Sequence, residues 1–298
     1  MRYKNRYDSS SAVKLLDVIK WQFSKKIIWK KEMSQLIVQN DKHLLNSKKD
    51  FICWLGHASF LVQIESKRFL FDPIFGNLPF YKRYANSPYS VEELGRIDYI
   101  FISHTHYDHF DTASIKALLP KNAHYILPLG MAKYLYKIDK NIKLSTLNWY
   151  ENFSINAKLK ISLVPAKHWG RRGIFDTNKS LWGGCVVESK KHTIYFAGDT
   201  AYDEHFKEIG KKFKINYALL PIGAYEPIEI MRENHLNPKE ALKAKRDLNA
   251  ETILPMHYGT FKLSDEQINA PEKWLDSLLQ KHTNEIYKIK VGEVKFID

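Results

Sequence analysis

The sequence contains only two cysteines, Cys53 and Cys185, among its 298 residues. Two thiols are too few for a scaffold held together by disulfides, and their scarcity suits a reducing compartment. The sequence also lacks any apolar run approaching the roughly 20 residues that a membrane-spanning helix needs. Lys14, Asp17 and Lys20 interrupt the early apolar segment, so we expect no secretory signal there. These absences predict a cytoplasmic protein, with peripheral attachment to the inner face of the membrane left open.

Repeats and low-complexity tracts are also absent, and the composition is that of a folded chain. Hydrophobic residues make up 44% of the sequence and charged residues 27%, and the mean hydropathy is -0.40. These values exclude a disordered chain and an integral membrane protein. The length suffices for one large domain or two ordinary domains, each with a substantial core.

Acidic residues are scarcer than basic ones, 33 against 46, which gives a formal net charge of +13. Residues 1–50 contain 12 basic and 5 acidic residues, a difference of +7. An excess this lopsided predicts a polyanionic partner, either lipid headgroups or nucleic acid. The alternative is a general richness in lysine that is spread over solvated surfaces.

A basic amphipathic helix is predicted at residues 11–28, within an N-terminal extension that spans residues 1–50. Apolar side chains recur there at spacings of three and four, the period of one helix face: Ala12, Leu16, Ile19, Phe23 and Ile27. Such a helix, with lysines on its other face, binds an anionic membrane surface without crossing the bilayer. The alternative is that the apolar stripe packs against the rest of the protein.

From residue 51 the pattern changes to short strands, followed by alternating strands and helices. Strands are predicted at 51–55, 59–64, 68–71, 99–103, 158–164, 182–188, 193–197, 217–220, 252–254 and 294–297, and helices at 112–119, 204–212, 238–248 and 271–281. An aromatic loop at 73–90 separates the two halves of this pattern, and loops this long are uncommon unless they are functional. A meander followed by alternation predicts one mixed α/β sandwich domain over residues 51–298.

The strongest chemical signal is the segment Ser-His-Thr-His-Tyr-Asp-His at residues 103–109, directly after an apolar strand. His104 and His106 are two residues apart in an extended segment, so their imidazoles point the same way. Asp108 and His109 lie in the turn that follows and can face a second point nearby. Nitrogen and oxygen donors at this spacing indicate a zinc site.

Three further donors, His168, Asp199 and His257, each come just after an apolar strand. The carboxyl ends of strands are where α/β sheets gather their sites. The carboxylate of Asp199 can bridge two cations at the ~3.5–4 Å separation typical of binuclear hydrolases. Five histidines and two aspartates therefore suffice for two zinc sites.

These motifs resemble the metallo-β-lactamase superfamily: His-x-His-x-Asp-His at 104–109, His168, Ala-Gly-Asp-Thr at 197–200 and Met-His-Tyr-Gly-Thr at 256–260. Further segments look like the group of N-acyl-phosphatidylethanolamine-hydrolysing phospholipases D. They are Trp-Leu-Gly-His-Ala-Ser at 54–59, Phe-Asp-Pro-Ile at 71–74, His-Trp-x-Arg-Arg at 168–172, Leu-Trp-Gly at 181–183, Pro-Ile-Gly-Ala-Tyr-Glu-Pro at 221–227 and Met-x-x-x-His-x-x-Pro-x-Glu-Ala at 231–241. Residues 1–50 show no such match.

The resemblance implies a metallo-β-lactamase αββα four-layer sandwich, preceded here by the N-terminal helical extension, and two zinc ions per chain. The positions that match the ligands of one zinc are His104, His106, His168 and Asp199. The positions that match the ligands of the other are Asp108, His109, His257 and the shared Asp199.

The implied reaction is hydrolysis of a phosphodiester bond in a phospholipid by a hydroxide that bridges the two metals. Asp108 and Asp199 are assigned as the catalytic residues because they hold those metals, and Tyr107 and His235 match positions that contact the phospholipid. Two zinc ions outweigh the charge of two aspartates and a hydroxide, and a positive site suits an anionic substrate.

Two other functions remain open from the sequence: a lactonase of the same fold that acts on a sugar phosphate, and a basic nuclease. We expect no nucleic-acid partner, because the basic N-terminal segment has helical spacing rather than the interleaved aromatics of a strand-like binding surface. The sequence leaves both a monomer and an oligomer open.

Four other polar residues lie near these motifs in the sequence. His57 is interpreted as a supporting or structural residue rather than a catalytic one. Asp72, which precedes a proline, is expected to form a turn or hydrogen bonds rather than bind metal. Arg171 and Arg172 either clamp a phosphate group, which a guanidinium fits bidentately, or form a solvated pair in a loop.

Overall fold

The computed structural model describes residues 2–7, 20–21, 24, 36–79, 81–280 and 284–297. Apart from positions 20, 21 and 24, the helix predicted at residues 11–28 lies outside the described residues. Across the described part of the chain, no helix combines the length and the apolar character needed to cross a bilayer.

A seven-stranded sheet is built mostly from the first half of the chain. Its strands are β1 (Phe51–Gly56), β2 (Ser59–Ile64), β3 (Lys67–Phe71), β4 (Tyr99–Phe101), β5 (His124–Pro128), β6 (Leu144–Leu147) and β13 (Val294–Phe296). Their order in space is β13-β1-β2-β3-β4-β5-β6. Neighbouring strands are antiparallel from β13 to β3 and parallel from β3 to β6.

A six-stranded sheet is built from the second half. Its strands are β7 (Asn152–Asn156), β8 (Leu159–Val164), β9 (Gly184–Glu188), β10 (Thr193–Phe196), β11 (Tyr217–Pro221) and β12 (Thr252–Met256). Their order is β12-β11-β10-β9-β8-β7. The pairs among β10, β11 and β12 are parallel, and the remaining pairs are antiparallel.

The core lies between the two sheets, whose facing side chains are continuously apolar. Every residue of β1 and β2 is buried, as expected for strands that are covered on both faces. Phe71 of the first sheet stacks on Phe196 of the second at a ring-centroid distance of 5.0 Å. These contacts join the sheets into a sandwich.

Helices cover the sandwich: α1 (Thr112–Leu118), α2 (Ala132–Leu135), α3 (His205–Lys212), α4 (Ile228–Met231), α5 (Pro238–Leu248) and α6 (Ala270–Leu279). In α1, Ile115 shares a buried cluster with Leu70 of the first sheet. In α3 and α5, Phe206 and Ala241 share a cluster with Leu219 of the second sheet. The αββα four-layer sandwich implied by the resemblance is therefore confirmed.

Helix α5 begins as its sequence predicts. The Asn237 side chain accepts a hydrogen bond from the backbone N–H of Glu240, and the Glu240 carboxylate accepts one from the backbone N–H of Asn237. Three strands had no prediction: β5, β6 and β7. Strand β6 is only partly buried and has two polar residues between its leucines, so it lacks the apolar run by which strands are recognised. Strand β7 does alternate polar and apolar residues, but it spans only five residues and none of them is fully buried.

The described parts of residues 1–50 pack against the sandwich. The backbone N–H of Tyr3 donates to the carbonyl oxygen of Asn178 at 2.8 Å. Arg6 makes two hydrogen bonds of 3.1 Å to the Glu208 carboxylate. Further along, Leu45 is buried in the cluster beneath α1. These contacts tie the described part of the N-terminal extension to the rest of the chain.

Candidate metal centre

Four strand ends bring the seven residues predicted as metal ligands to one place. His104, His106, Asp108 and His109 follow β4, His168 follows β8, Asp199 follows β10, and His257 follows β12. Strand β4 belongs to the first sheet and the other three belong to the second. The site therefore lies where the carboxyl ends of strands from both sheets meet, as the positions of these residues in the sequence predict.

Three ring nitrogens converge in one half of the site. Nδ1 of His106 lies 2.9 Å from Nε2 of His104 and 3.2 Å from Nε2 of His168. In a tetrahedral site with zinc–nitrogen distances of about 2.0–2.1 Å, ligand atoms lie roughly 3.3 Å apart. The spacing of these three nitrogens is close to that value.

The other half of the site contains Asp108, His109 and His257. The two histidine Nε2 atoms are 3.3 Å apart, and each lies 3.4 Å from Oδ2 of Asp108. These three atoms form a nearly equilateral triangle with the edge length expected of a metal-ligand set.

Asp199 lies between the two halves. Its Oδ2 is 3.9 Å from Nε2 of His168 and 3.1 Å from Nε2 of His109, and its Oδ1 is 3.1 Å from Nε2 of His257. One carboxylate thus contacts residues of both groups. This is the position expected of a bridging ligand.

Hydrogen bonds alone leave this cluster unsatisfied. A neutral imidazole offers one donor and one acceptor, so three nitrogens that converge on one point cannot all be paired. Oδ1 of Asp199 is buried and lies 3.1 Å from Nε2 of His257 without the geometry of a hydrogen bond, and buried polar atoms without a hydrogen bond are rare in folded proteins. Divalent cations would satisfy both sets of donors, and the residues present therefore fit a binuclear metal site.

The protonation of the histidines follows from burial and from their neighbours. Burial, reinforced by the surrounding imidazoles, holds the pKa values of His104 and His168 well below the ordinary value, so both rings are neutral and have a lone pair for a metal. Burial also acts to lower the pKa of His109. Asp199, Asp108 and Asp72 outweigh that effect and raise the pKa well above the ordinary value. The carboxylates thus draw positive charge to this half of the site.

Residues behind the centre fix the orientation of its imidazoles. Asp72 is fully buried, and its carboxylate accepts hydrogen bonds from the backbone N–H of Ser103 at 2.7 Å and from Nδ1 of His109 at 2.6 Å. On the other side, Nδ1 of His168 donates to the carbonyl oxygen of Asn234 at 3.0 Å. Because Nδ1 carries a hydrogen in both rings, Nε2 is the nitrogen that is turned toward the centre. The interpretation of Asp72 as a hydrogen-bonding residue agrees with these contacts.

His57 lies beside the centre, which agrees with its interpretation as a supporting residue. Its Nε2 lies 3.1 Å from Oδ2 of Asp108, and its ring centroid is 4.2 Å from that of His257. Burial and the neighbouring His257 lower the pKa of His57 to about 3, so the ring is neutral and donates to Asp108. The sequence could not predict the contact with Asp108, because no local spacing connects the β1–β2 turn to residue 108.

Three of the ten described non-glycine residues with positive φ angles lie at or behind the centre. His57, Asp72 and His257 have positive φ angles of 52°, 37° and 62°. Positive φ is uncommon for residues other than glycine, and strained conformations cluster at functional sites, where the surrounding structure holds them. Each of these residues bears a side chain that points into the centre or supports it.

The two residues matched to substrate contacts differ in exposure. His235 is largely buried, its Nδ1 lies 3.8 Å from Oδ2 of Asp199, and its ring centroid is 5.4 Å from that of His168. Tyr107 is 49% exposed, and its hydroxyl donates to the carbonyl oxygen of Arg172 at 2.9 Å. His235 therefore lies inside the site, and Tyr107 lies at its rim.

Arg172 has internal partners. Its guanidinium donates to the Thr112 hydroxyl at 3.0 Å and to the carbonyl oxygen of Phe110, and its central carbon lies 4.1 Å from the Tyr107 ring centroid. The guanidinium carbon of Arg171 lies 5.6 Å from the Trp169 ring centroid. Arg172 is thus part of the loop's internal structure, and the pair is not a simple solvated one.

Comparison with known proteins adds three findings to this geometry. Residues 67–258 match the model of a family described as "Beta-lactamase superfamily domain". Over 72% of its length the chain is 36% identical to N-acyl-phosphatidylethanolamine-hydrolyzing phospholipase D 1 of Caenorhabditis elegans, of which the match covers 65%. Over 76% of its length it is 35% identical to the mitochondrial N-acyl-phosphatidylethanolamine-hydrolyzing phospholipase D of Saccharomyces cerevisiae, of which the match covers 51%. The chain thus spans about half to two thirds of the length of these relatives.

A solved structure shares the fold. Igni18, a metallo hydrolase from the archaeon Ignicoccus hospitalis, superposes with a TM-score of 0.66 at 22% sequence identity. The superposition covers 84% of this chain and 99% of that one. At this identity the similarity supports the architecture alone.

Proposed function

The chain belongs to the metallo-β-lactamase superfamily and is a metal-dependent hydrolase, and we propose that it is a phospholipase D-type phosphodiesterase. Its proposed substrates are phospholipids that resemble N-acyl-phosphatidylethanolamine. The observation that carries the proposal is the centre of seven donors with Asp199 between its two halves. Over 72% of its length the chain is also 36% identical to an enzyme named for that reaction.

The residues that would hold the metals fall into two sets. One set is His104, His106, His168 and Asp199, and the other is Asp108, His109, His257 and Asp199. Zinc ions held there would supply positive charge for a phosphodiester anion and lower the pKa of water towards about 7. Asp108 would help to hold one of these ions and Asp199 would help to hold both, and this is their proposed role in the reaction.

The remaining residues orient the centre and the substrate. Asp72 and the carbonyl oxygen of Asn234 keep Nε2 of His109 and His168 turned inward. His235 lies close enough to Asp199 to contact a phosphate group bound at the metals. Tyr107 lies at the rim, where the hydrophobic part of a lipid would leave the site.

The aromatic loop at residues 73–90 also favours a lipid substrate. Ile74 and Leu78 of the loop form a buried cluster with Phe261, whose ring centroid is 5.2 Å from that of His57. Arg83 fixes the loop by donating to the carbonyl oxygen of Ile74 at 2.8 Å. The loop is thus anchored beside the centre, where it would border the acyl chains of a bound lipid.

A substrate panel tests the proposal directly. Zinc-loaded protein is assayed with N-acyl-phosphatidylethanolamine, phosphatidylcholine, a sugar-phosphate lactone and single-stranded DNA, and kcat/KM is compared on one preparation. We expect the highest value for N-acyl-phosphatidylethanolamine, with release of phosphatidic acid. Faster opening of the lactone, or cleavage of DNA without phosphatidic acid from either lipid, would reject the lipid substrate and leave the metal centre standing.

His235 separates a substrate contact from a ligand. His235→Ala should lower kcat/KM for the phospholipid by about tenfold or more while the metal content stays unchanged, because the residue is proposed to touch substrate and not metal. His43→Ala, at a histidine in the 3₁₀ turn Lys42–Asn46, is the control for the loss of an imidazole. Loss of a metal ion from His235→Ala would contradict the assignment.

A further inference from the structure

The loop between β8 and β9 carries the two most exposed large apolar side chains of the described residues. Ile174 is 84% exposed and Phe175 is 80% exposed. Single exposed apolar residues are normal on protein surfaces, but adjacent ones at one tip mark an interaction site. No packing within the described chain accounts for the pair.

The tip is held in a defined shape. The Asp176 carboxylate accepts hydrogen bonds from the backbone N–H groups of Arg172 at 3.0 Å and Gly173 at 2.7 Å. It also accepts one from the Tyr134 hydroxyl at 2.8 Å. These bonds satisfy Asp176 on the side away from the tip and turn the chain so that Ile174 and Phe175 face outward.

Basic residues outnumber acidic ones in the segment that carries the tip. Residues 168–180 contain Arg171, Arg172 and Lys179 against one acidic residue, Asp176. Tyr134, whose hydroxyl donates to Asp176 of this loop, has Nζ of Lys133 4.9 Å from its ring centroid. Apolar side chains at the centre with cationic ones behind them match a bilayer that carries anionic headgroups over an apolar interior.

The tip and the rim of the metal centre belong to one structural unit. His168 lies in this loop, six residues before Ile174, and six residues span at most roughly 20 Å. Tyr107 at the rim donates to the carbonyl oxygen of Arg172, and its ring lies against the Arg172 guanidinium. A bilayer that receives the tip would therefore lie near the entrance to the centre.

We propose that Ile174 and Phe175 form a membrane-docking tip, which inserts into the headgroup region of an anionic bilayer and brings the site to its lipid. The purpose of this docking rests on the proposed phospholipid substrate, but the docking itself does not require that the lipid is cleaved. The tip is distinct from the basic helix predicted at residues 11–28, whose membrane attachment stays a prediction.

Vesicle binding by the full-length chain tests the tip. In sedimentation with phosphatidylcholine vesicles containing about one third phosphatidylglycerol, the double variant Ile174→Ser, Phe175→Ser should bind at least about tenfold more weakly than wild type. Ile37→Ser is the matched control, because Ile37 is also 63% exposed but lies elsewhere. It should bind like wild type. Both variants should keep the wild-type Tm, since none of these side chains is buried.

A probe at the tip gives a positive signal. Cys53 and Cys185 are free but buried, so Phe175→Cys provides a single accessible thiol for an environment-sensitive fluorophore. We expect a blue shift when anionic vesicles are added, and none with an equal amount of free phosphatidylglycerol headgroup. An unshifted spectrum, or a double variant with wild-type vesicle affinity, would overturn the proposal.

Two further readouts distinguish this inference from its rivals. If the tip instead joins two copies of the chain, the double variant will turn a dimer into a monomer without weakening vesicle binding, and the proposal fails. If vesicle binding depends on the tip but no phospholipid is cleaved, the proposed substrate fails and the docking tip stands. Turnover of a small soluble phosphodiester should be equal in wild type and the double variant.

Discussion

Replacing Asp72 with asparagine should disable one metal position without removing any proposed ligand. Asp72 is fully buried, and its Oδ2 accepts hydrogen bonds from both Nδ1 of His109 at 2.6 Å and the hydroxyl of Ser103 at 2.5 Å. Its Oδ1 accepts from the backbone N–H of Ser103. An asparagine that keeps its oxygen toward this N–H must turn its NH₂ group toward two other donors.

With the amide in this orientation, the conflict at His109 is resolved only by changing the histidine. If His109 moves its hydrogen from Nδ1 to Nε2, the amide is satisfied, but Nε2 no longer has a lone pair for a metal. If the hydrogen stays on Nδ1, two buried donors face each other at a cost of about 1–3 kcal/mol. Loss of such orienting partners typically weakens metal binding by about 10–100-fold, or about 1.4–2.7 kcal/mol. We expect that range at the position formed by Asp108, His109 and His257.

Chelator competition with stoichiometry by elemental analysis measures this effect. Asp72→Asn should keep one tightly bound metal and lose affinity for the second, whereas wild type should hold two. Asp98→Asn is the control, because Asp98 accepts from the backbone N–H of Arg68 at the opposite end of β4. Wild-type affinity for both metals in Asp72→Asn would refute the argument from imidazole orientation.

Three further outcomes follow from the structure. Chelation should abolish activity, and reconstitution with zinc should restore it together with about two metals per chain; a reconstituted value near zero would end the binuclear assignment. Asp199→Asn should lower kcat more than any single histidine substitution in the centre, because Asp199 is the one residue proposed as a ligand of both metals, and near-normal turnover with two bound metals would show that it is not the bridge. Acid should release the N-terminal segment: burial acts to raise the pKa of Glu208, but Tyr7 and Arg6 outweigh it and hold that pKa below 4.5. The stability that Glu208 contributes is therefore complete above pH 4.5 and lost as pH falls through the folded pKa. The difference in unfolding free energy between wild type and Glu208→Gln should shrink as the pH is lowered from 7 to 3. A constant difference would contradict this prediction.

Local spacing was enough to find the donors. His104 and His106 alternate along an extended segment, and His168, Asp199 and His257 each follow an apolar strand, so their chemistry can be read without knowing the fold. The capping residues of α5 were readable for the same reason, because a capping box involves residues only three positions apart. Features set by a few bonds of neighbouring chain are determined by the sequence itself.

Contacts between distant segments were decided by packing. Nothing in the Gly-His-Ala-Ser turn indicates that His57 will lie 3.1 Å from Asp108, since the contact depends on how the first sheet faces the second. The roles of Asp72 and Arg172 likewise depend on neighbours 30 or more residues away. Strand β6 escaped prediction because its partial burial leaves no apolar pattern.

Exposure was the last property that only the tertiary structure could supply. In the sequence, Ile174 and Phe175 look like any apolar pair that a core would bury, and Tyr107 and His235 share one family resemblance. The fold leaves Ile174, Phe175 and Tyr107 in solvent and buries His235 beside Asp199. Sequence alone thus determined which chemical groups are available, because that depends on residue identity and short-range geometry. Packing of the two sheets and their loops determined which groups meet and which face outward, because burial depends on the whole chain.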